Sequence, residues 1–297
     1  MNLKKANFSL KNRAKTFYFA SLFFSTDKKD DIKVLYLFCR FVDDLGDNKK
    51  LSKKISKIKL TKIKKELLSR KSKNQIIHNF INLMSKYGID NEIPIALIDG
   101  ILSDLGRVNI KDYNQLFCYS YKVAGTVGLM MCDIMGVKEN SLKFNAVYLG
   151  IAMQLTNISR DIKEDLLRDR IYIPKEIRIH VKNDFNEIPF SYQLQKEFSK
   201  DLKKLIDTSD IIYDLAWEGI IKLPLKYRFP IAIASYLYQS IGTKIRNNNY
   251  NIWKQRIYLT KIEKVIKTIR VLIKLIYNEQ IYKNSDMREK LNQNIKK

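Results

Sequence analysis

Apolar residues recur at spacings of three and four through most of this chain, which is the pattern of helices that each bury one face. Alternation of apolar and polar residues, which is typical of strands, is nearly absent. The short run Arg170-Ile-Tyr-Ile-Pro174 ends in proline and fits the exit of a helix better than a sheet. The spacing predicts helices over residues 34–42, 76–84, 93–102, 116–135, 144–162, 198–223, 231–245 and 262–277.

This pattern predicts an all-α fold, a helical bundle of about ten or more helices with a central cavity between them. The five prolines and ten glycines are scattered, and no linker-like segment or internal repeat divides the 297 residues. An all-helical domain of this length can bury a large core. We therefore predict a single domain over 1–297, with a core over 12–270, a basic C-terminal tail over 271–297 and a long loop over 178–192.

Two segments that lie far apart in the chain carry carboxylates on one face of a predicted helix. On the first segment the residues that share a face are Tyr36, Arg40, Asp43 and Asp47. On the second they are Gln154, Asn157, Asp161 and Asp165, with Arg160 at the edge. Residues separated by three or four positions lie about one turn apart on the same side of a helix. Each segment therefore predicts a polar stripe on an otherwise apolar helix.

The residue types on these two stripes are those of a site for magnesium and diphosphate. Magnesium prefers oxygen ligands and shares its coordination positions between a few carboxylates, water and phosphate oxygens. Arginines would bind the diphosphate oxygens that the metal leaves free. A solvated acidic surface is the alternative for either segment alone. Because the surrounding residues are strongly apolar and buried carboxylates need cations, two stripes that face an internal cavity fit the pair better.

A helical run between the acidic segments, residues 119–136, contains Gly125 and Gly128. Each glycine costs a helix roughly 1 kcal/mol relative to alanine, so we expect something to approach the backbone closely there. A long hydrocarbon or a neighbouring helix would each explain it, and the spacing does not choose between them. Tyrosines near these segments can offer ring faces to a carbocation or accept a proton. They are Tyr119, Tyr172, Tyr236 and Tyr238.

These segments together resemble the squalene/phytoene synthase family, which joins two prenyl diphosphates head to head. Residues 36–47 resemble its YxxCRxxDDxxD motif, residues 157–172 its NxxRDxxEDxxxxRIY motif and residues 119–128 its YCYxVAGTVG segment. Residues 13–17 are similar to its (H/G)SKSF start, and residues 223–256 follow its C-terminal pattern. The resemblance covers residues 13–260 in the family's order and implies an isoprenoid-synthase type of helical bundle.

The chain departs from the family's pattern at a few positions. Ala14 and Ser120 stand where the family usually has serine and cysteine, Ser159 replaces a common leucine, and residues 24–25 replace a Leu-Pro pair. Ala14 removes one hydroxyl donor to a phosphate but no metal ligand.

The resemblance implies a role for each matching residue. It assigns Mg²⁺ to Asp43, Asp47, Asn157, Asp161 and Asp165. It assigns the diphosphates and allylic heads to Arg13, Lys15, Thr16, Tyr36, Arg40, Gln154, Asn157, Arg160 and Tyr238. It places Tyr119 and Tyr172 beside the cationic intermediates, so that these two tyrosines and the four aspartates form the catalytic set.

The implied reaction is the condensation of two geranylgeranyl diphosphates to phytoene, through a cyclopropylcarbinyl diphosphate, with Mg²⁺ or Mn²⁺ and without NADPH. Residues 128–136 are similar to a GLMMxxIMG stretch of bacterial phytoene synthases, and residues 104–107 contribute to a DLxxxR-like stretch. An enzyme that uses farnesyl diphosphate to make squalene, dehydrosqualene or presqualene diphosphate is the nearest alternative. A non-catalytic scaffold is a remote one, because all five implied metal ligands are retained.

About half of the formal charge of +24 lies in residues 49–73, which hold twelve basic residues and one acid. A charge of this size attracts nucleic acid or an anionic membrane. Ile55, Ile58, Leu60, Ile63 and Leu67 are at roughly helical spacing in this segment. We favour a lysine-coated surface helix there, with a basic amphipathic helix on a bilayer as the second interpretation. Because no aromatic residue interrupts the block, we expect no nucleic acid as a partner. The basic amphipathic pattern leads us to expect peripheral membrane contact.

Cysteine and histidine content restricts the compartment and the chemistry. Cys39, Cys118 and Cys132 lie in apolar or motif-bearing segments without metal spacing, which predicts reduced, buried thiols. The apolar run over 17–24 is too short for a signal peptide, and no stretch approaches the roughly 20 residues that span a bilayer. We therefore predict a cytoplasmic protein, peripheral on the inner face of the cell membrane, and infer no obligate protein partner.

Overall fold

The computed structural model describes residues 16, 19–20, 22–24, 26–48, 50–179, 187–188 and 191–277, and these are almost entirely helical. The first helices are α1 Thr26–Gly46, α2 Lys53–Leu68, α3 Gln75–Tyr87, α4 Glu92–Ser103, α5 Tyr113–Ser120 and α6 Thr126–Met135. A turn of π-helix, Tyr121–Gly125, joins α5 to α6. The remaining helices are α7 Asn140–Leu166, α8 Tyr192–Ile220, α9 Leu225–Asn247 and α10 over residues 261–277. The predicted all-α class is confirmed.

Every helix that the apolar spacing predicted is present, and capping residues mark several of the observed ends. The Asn74 side chain accepts hydrogen bonds from the backbone N–H groups of the first turn of α3, and Asp112 does the same for α5. Gly88 and Gly136 end α3 and α6 with φ of 67° and 74°, a conformation that favours glycine. Periodicity identifies a helix, whereas caps determine where it starts and stops.

One short ladder was not predicted. Val108–Asn109 (β1) pairs in parallel with Arg170–Ile171 (β2), with Val108 opposite Arg170. The run over 170–174 does follow the end of α7, as the sequence indicated, but it also forms this two-residue strand. The ladder places the end of α4 beside the exit of α7, and this juxtaposition builds part of the site.

Two clusters of buried apolar residues form the core, one around α7, α8 and α9 and the other around α1 to α4 and α6. α7 contributes Ile151, Leu155, Ile158 and Ile162 to the first cluster. The predicted polar stripe lies on the adjacent side of α7, about a quarter turn from these residues, and lines the cavity together with Ile158. The single-domain boundaries stay a prediction; residues 271–277 of the predicted tail belong to α10, and 278–297 lie outside the described residues.

The basic segment over 49–73 forms α2, and its apolar side is used in the core. Leu60, Ile63 and Leu67 are buried, and Lys64 Nζ lies 2.7 Å from Asp99 Oδ1 on α4. This is the surface helix that we favoured. Among the described residues, no helix is both long enough and apolar enough for a bilayer crossing.

The three cysteines are free, but only Cys132 is buried as predicted. Cys39 is half-buried on α1, and Cys118 is exposed. The prediction is wrong for Cys118 because α5 is a short surface helix that buries Leu116 and Tyr119 and turns the intervening position outward.

Candidate active site

A cavity of about 610 Å³ lies between the polar stripes of α1 and α7. Most of the residues that the sequence analysis selected line it: Thr16, Arg40, Asp43, Asp47, Tyr119, Gln154, Asn157, Arg160, Asp161, Asp165, Tyr172 and Tyr238. Tyr36 lies one turn before Arg40 on α1 but is not among the lining residues. Arg13 and Lys15 lie outside the described residues.

On α1, Arg40 binds two neighbouring carboxylates. Its Nη1 donates to Asp43 Oδ2 at 2.9 Å and its Nη2 donates to Asp44. Burial nevertheless raises the pKa of Asp43 to about 6, and the nearby carboxylates of Asp47, Asp44 and Asp104 add to the effect of burial against the opposing charge of Arg40. Asp43 is therefore a half-buried carboxylate whose negative charge is incompletely neutralised.

Asp47, at the end of α1, reaches across to the exit of α7. Arg168 Nη1 donates to its Oδ2 at 2.6 Å and Arg170 Nη1 donates to its Oδ1 at 2.8 Å. Burial opposes the charge of Asp47, but the two arginines outweigh burial and lower the pKa of this carboxyl below its ordinary value. The pair of bonds ties the two walls of the cavity together. Spacing did not reveal Arg168, because its partner is far away in sequence.

On α7, Asp161 accepts hydrogen bonds from two arginines. Arg160 donates from Nε and Nη2 at 2.7 and 2.5 Å, and Arg256 donates from Nε and Nη2, each at 2.8 Å. Burial opposes the charge here too, and again the arginines lower the pKa of Asp161. Arg256 lies in the segment after α9. The sequence indicated this residue only as part of the C-terminal family pattern and predicted no contact with Asp161.

Asp165, one turn further along α7, has the opposite environment. Burial raises its pKa to about 7, with a further contribution from the negative charge of Asp161, although Arg170 and Arg168 act against this shift. In the part of the chain that the structure describes, no arginine or lysine forms a salt bridge with it. Each stripe thus combines one carboxylate that is bound by two arginines with one half-buried carboxylate whose pKa is raised.

The side chains suit magnesium chemically, although they do not form a ready-made cage. No group of three or more His, Cys, Asp or Glu side chains in the described ranges is placed to hold a metal ion. Asp47 and Asp161 are held by arginines instead. The ligand atoms along the stripes are oxygens, and burial together with neighbouring carboxylates raises the pKa of Asp43 and Asp165. This set fits an ion that takes a few carboxylates and completes its shell with water and phosphate oxygens.

A carboxylate between two tyrosines lies on the same cavity. Tyr119 donates its hydroxyl to Asp104 Oδ2 at 2.9 Å and Tyr172 donates to Asp104 Oδ1 at 2.7 Å. The two rings stack with centroids 4.8 Å apart. Burial raises the pKa of Asp104 to about 6 and raises the pKa of both phenols above their ordinary value, so the phenols stay protonated. Asp104 was not among the predicted site residues, because no second acidic residue lies three or four positions from it to form a stripe with it.

An apolar chamber of about 250 Å³ adjoins the polar cavity. The two share Gln154, Asn157 and Tyr238 in their linings. Aliphatic and sulfur-containing side chains of α6 to α9 line the rest, including Met131 and Ile220. The combined space offers charged groups at one end and hydrocarbon contact at the other, which suits an amphipathic molecule with an anionic head.

The glycines that the sequence singled out are explained by helix packing. A Cβ at Gly128 would lie 2.4 Å from the carbonyl oxygen of Ala146 on α7, and one at Gly125 would lie 3.2 Å from a methyl group of Val147. Of the two explanations that we left open, a neighbouring helix is therefore the one observed, although Gly128 also lines the apolar chamber.

Comparison with known proteins gives consistent results. The family model described as squalene/phytoene synthase matches residues 10–263. The chloroplastic phytoene synthase of Narcissus pseudonarcissus is 30% identical over 261 residues, which cover 85% of this chain and 61% of that protein. Phytoene synthase 1 of Arabidopsis thaliana is 28% identical over 284 residues, 93% of this chain and 66% of that protein. The chain thus spans less than two thirds of the length of these two relatives.

A solved structure resembles the fold closely. The crystal structure of a dehydrosqualene synthase in complex with ligand superposes with a TM-score of 0.78 at 23% identity, over 92% of this chain and 96% of that one.

Proposed function

The chain belongs to the squalene/phytoene synthase family, and from this premise we propose that it condenses two geranylgeranyl diphosphates head to head to phytoene, with Mg²⁺. The observation that carries the proposal is the polar cavity with two carboxylate stripes, next to an apolar chamber that shares three of its lining residues. Phytoene is preferred over thirty-carbon products because the curated relatives are phytoene synthases.

Five arginines supply the positive charge for two diphosphates: Arg40, Arg160, Arg168, Arg170 and Arg256. Each arginine already donates a hydrogen bond to an aspartate side chain. Arg170 also donates to the backbone carbonyl oxygen of Asp104 at 3.2 Å. A diphosphate presents the same kind of oxygen acceptor, so the arginines can exchange a carboxylate for a phosphate without losing a hydrogen bond. When bound, Mg²⁺ would be held by Asp43, Asp47, Asn157, Asp161 and Asp165 and would stabilise the negative charge of the departing diphosphate.

The apolar chamber has two roles in this reaction. It accommodates hydrocarbon next to the charged cavity, and it excludes water from the allylic cation that forms when the first diphosphate leaves. The double bond of the second substrate attacks that cation, and loss of a proton closes the cyclopropane ring. The stacked rings of Tyr119 and Tyr172 face the cavity, where their π-electrons stabilise positive charge.

The tyrosine pair and Asp104 form a path for the departing proton. Both phenol protons are directed at Asp104, so the free lone pairs of the phenol oxygens are the acceptor atoms. A phenol that takes up the substrate proton passes its own proton to the carboxylate. The second diphosphate then leaves, the ring opens and rearranges, and loss of a further proton gives the triene of phytoene. This sequence requires no reductant, so NADPH is not expected.

The test is incubation of the purified protein with Mg²⁺ and either geranylgeranyl or farnesyl diphosphate, with and without NADPH, followed by mass spectrometry of the products. We expect the twenty-carbon substrate to be consumed to phytoene in both conditions, and chelation of the metal to stop the reaction. Preferential conversion of farnesyl diphosphate to a thirty-carbon product would overturn the product assignment. Consumption of neither substrate would overturn the catalytic proposal.

A further inference from the structure

α10 turns a continuous apolar face away from the protein. Lys264, Thr268 and Val271 are buried against the body of the fold. The residues on the opposite side are 45–73% exposed: Ile262, Val265, Ile266, Ile269, Ile273, Ile276 and Tyr277. At about 100° per residue, these seven side chains fill an arc of about 120° that contains no charged residue. We call this face the α10 stripe.

The contrast with α2 shows why the α10 stripe is unusual. Single exposed apolar residues are common on protein surfaces, whereas a contiguous exposed row marks a contact site. α2 is more basic, but it points Leu60, Ile63 and Leu67 into the core and presents mainly lysines to solvent. Only Ile55, Ile58 and Leu68 are exposed apolar residues on that helix. The amphipathic basic surface that the sequence suggested at residues 49–73 is therefore found on α10.

Basic residues border the α10 stripe. Lys261 lies on one side of it, and Arg270 and the neighbouring lysines lie on the other. Glu263 is the sole acidic residue in the sequence of this helix, and Lys244 Nζ neutralises it at 2.7 and 2.8 Å. The Lys274 ammonium lies 4.0 Å from the centroid of the Trp217 ring. An isoleucine-rich face with a cationic border is complementary to a surface that is apolar in depth and anionic at its edge.

We propose that the α10 stripe docks this protein peripherally on an anionic lipid bilayer, with the isoleucines in the acyl region and the basic border among the headgroups. A second copy of the chain would place the two basic borders against each other. Residues 278–297 carry five basic and three acidic residues, so covering the stripe with them would also add positive charge to positive charge. The inference uses only α10 and does not depend on the proposed condensation.

Vesicle co-sedimentation of the full chain tests the proposal. We expect binding to phosphatidylcholine vesicles that contain about 30 mol% phosphatidylglycerol, and much weaker binding to phosphatidylcholine alone. The double variant Ile269→Asp/Ile273→Asp should lower the partition coefficient about tenfold or more, because it puts charge at the centre of the stripe. The matched control is Ile55→Asp/Ile58→Asp on α2, with residues of similar exposure, 44% and 59%, and it should bind like the wild type.

A second variant distinguishes the charge from the apolar face and guards against misfolding. Lys261→Gln/Arg270→Gln should weaken binding only to the anionic vesicles and should leave the thermal unfolding midpoint unchanged. The circular dichroism spectrum and the thermal unfolding midpoint of each variant must match those of the wild type. If the double aspartate variant unfolds, the single variant Ile273→Gln should still lower the partition coefficient.

Four results would overturn the proposal. The first is that the wild type remains in the supernatant with both vesicles, and the second is that the α2 control loses binding as much as the α10 variant. A dimer that dissociates on Ile269→Asp/Ile273→Asp would assign the stripe to a second copy. The last is that a chain ending at residue 277 binds vesicles far better than the full chain, which would mean that residues 278–297 cover the α10 stripe.

Discussion

The two acidic helices have matching spacing but opposite electrostatics. On α1 the first carboxylate, Asp43, has a pKa raised to about 6 and the last, Asp47, has a lowered pKa. On α7 the order is reversed, since Asp161 is lowered and Asp165 is raised to about 7. The arginines explain the difference: those on Asp47 come from the exit of α7, whereas Asp161 is held by its own neighbour Arg160 and by Arg256.

This comparison separates two properties of a site. Helical spacing places the carboxylates on the cavity wall, and tertiary ion pairs determine which of them is left short of positive charge. Asp43 and Asp165, on facing walls, are the positions where an incoming cation gains most, because burial has already penalised their negative charge. Asp47 and Asp161 can serve a metal only when their arginines move to another acceptor, for which a diphosphate is suited.

The largest effect should follow from removing one carboxylate of either stripe. Asp43→Ala and Asp161→Ala should each lower turnover by about a thousandfold or more, because both helices contribute to one site. Asp44→Asn is the matched control on α1: Asp44 shares Arg40 but does not line the cavity, and its loss should cost about tenfold or less. Steady-state kinetics with the preferred prenyl diphosphate would measure this. Near-wild-type turnover in either alanine variant would mean that the stripes are not the metal site.

Stability should change in opposite directions for the two classes of carboxylate. Asp47→Asn leaves Arg168 and Arg170 with a weaker acceptor and should lower the free energy of unfolding by roughly 1–3 kcal/mol. Asp165→Asn removes a half-buried carboxylate that carries an unfavourable charge at pH 8, and the metal-free variant should be at least as stable as the wild type there. Urea denaturation without metal at pH 8 measures both. Equal destabilisation would contradict the assignment of ion pairs.

Magnesium should stabilise the protein more at pH 8 than at pH 6. A carboxyl whose pKa is raised in the folded state favours folding at low pH, and this contribution is lost as pH rises from its unfolded pKa of about 4 through the folded values of about 6 and 7. Protons compete with the metal below those values. The rise in melting temperature with Mg²⁺ should therefore grow over this range and depend less on pH in Asp165→Asn. Potassium chloride of equal ionic strength is the control, and a shift independent of pH would contradict the prediction.

The sequence predicted the features that depend on local geometry. The helices follow from apolar periodicity, and both stripes, except Tyr36, line the cavity because positions three and four apart share a helix face. The places of Asp104, Arg168 and Arg256 in the site depend on contacts between distant segments, and the nearby β1–β2 ladder is only two residues per strand. The exposure of the apolar face of α10 could not be predicted from the sequence either, because periodicity does not show which side of a helix the rest of the protein covers.

The smallest effects should come from removing one of the two arginines on a saturated carboxylate. Arg256→Gln leaves Asp161 with Arg160, and Arg168→Gln leaves Asp47 with Arg170, so each should cost less than about 1 kcal/mol of unfolding free energy. The Arg168 variant should cost more, because Asp47 is the link between the walls, whereas the Arg256 side chain is 54% exposed. Urea denaturation of the two variants without metal measures the difference. If the Arg256 variant were the less stable of the two, the segment after α9 rather than the Asp47 link would be what holds the cavity walls together.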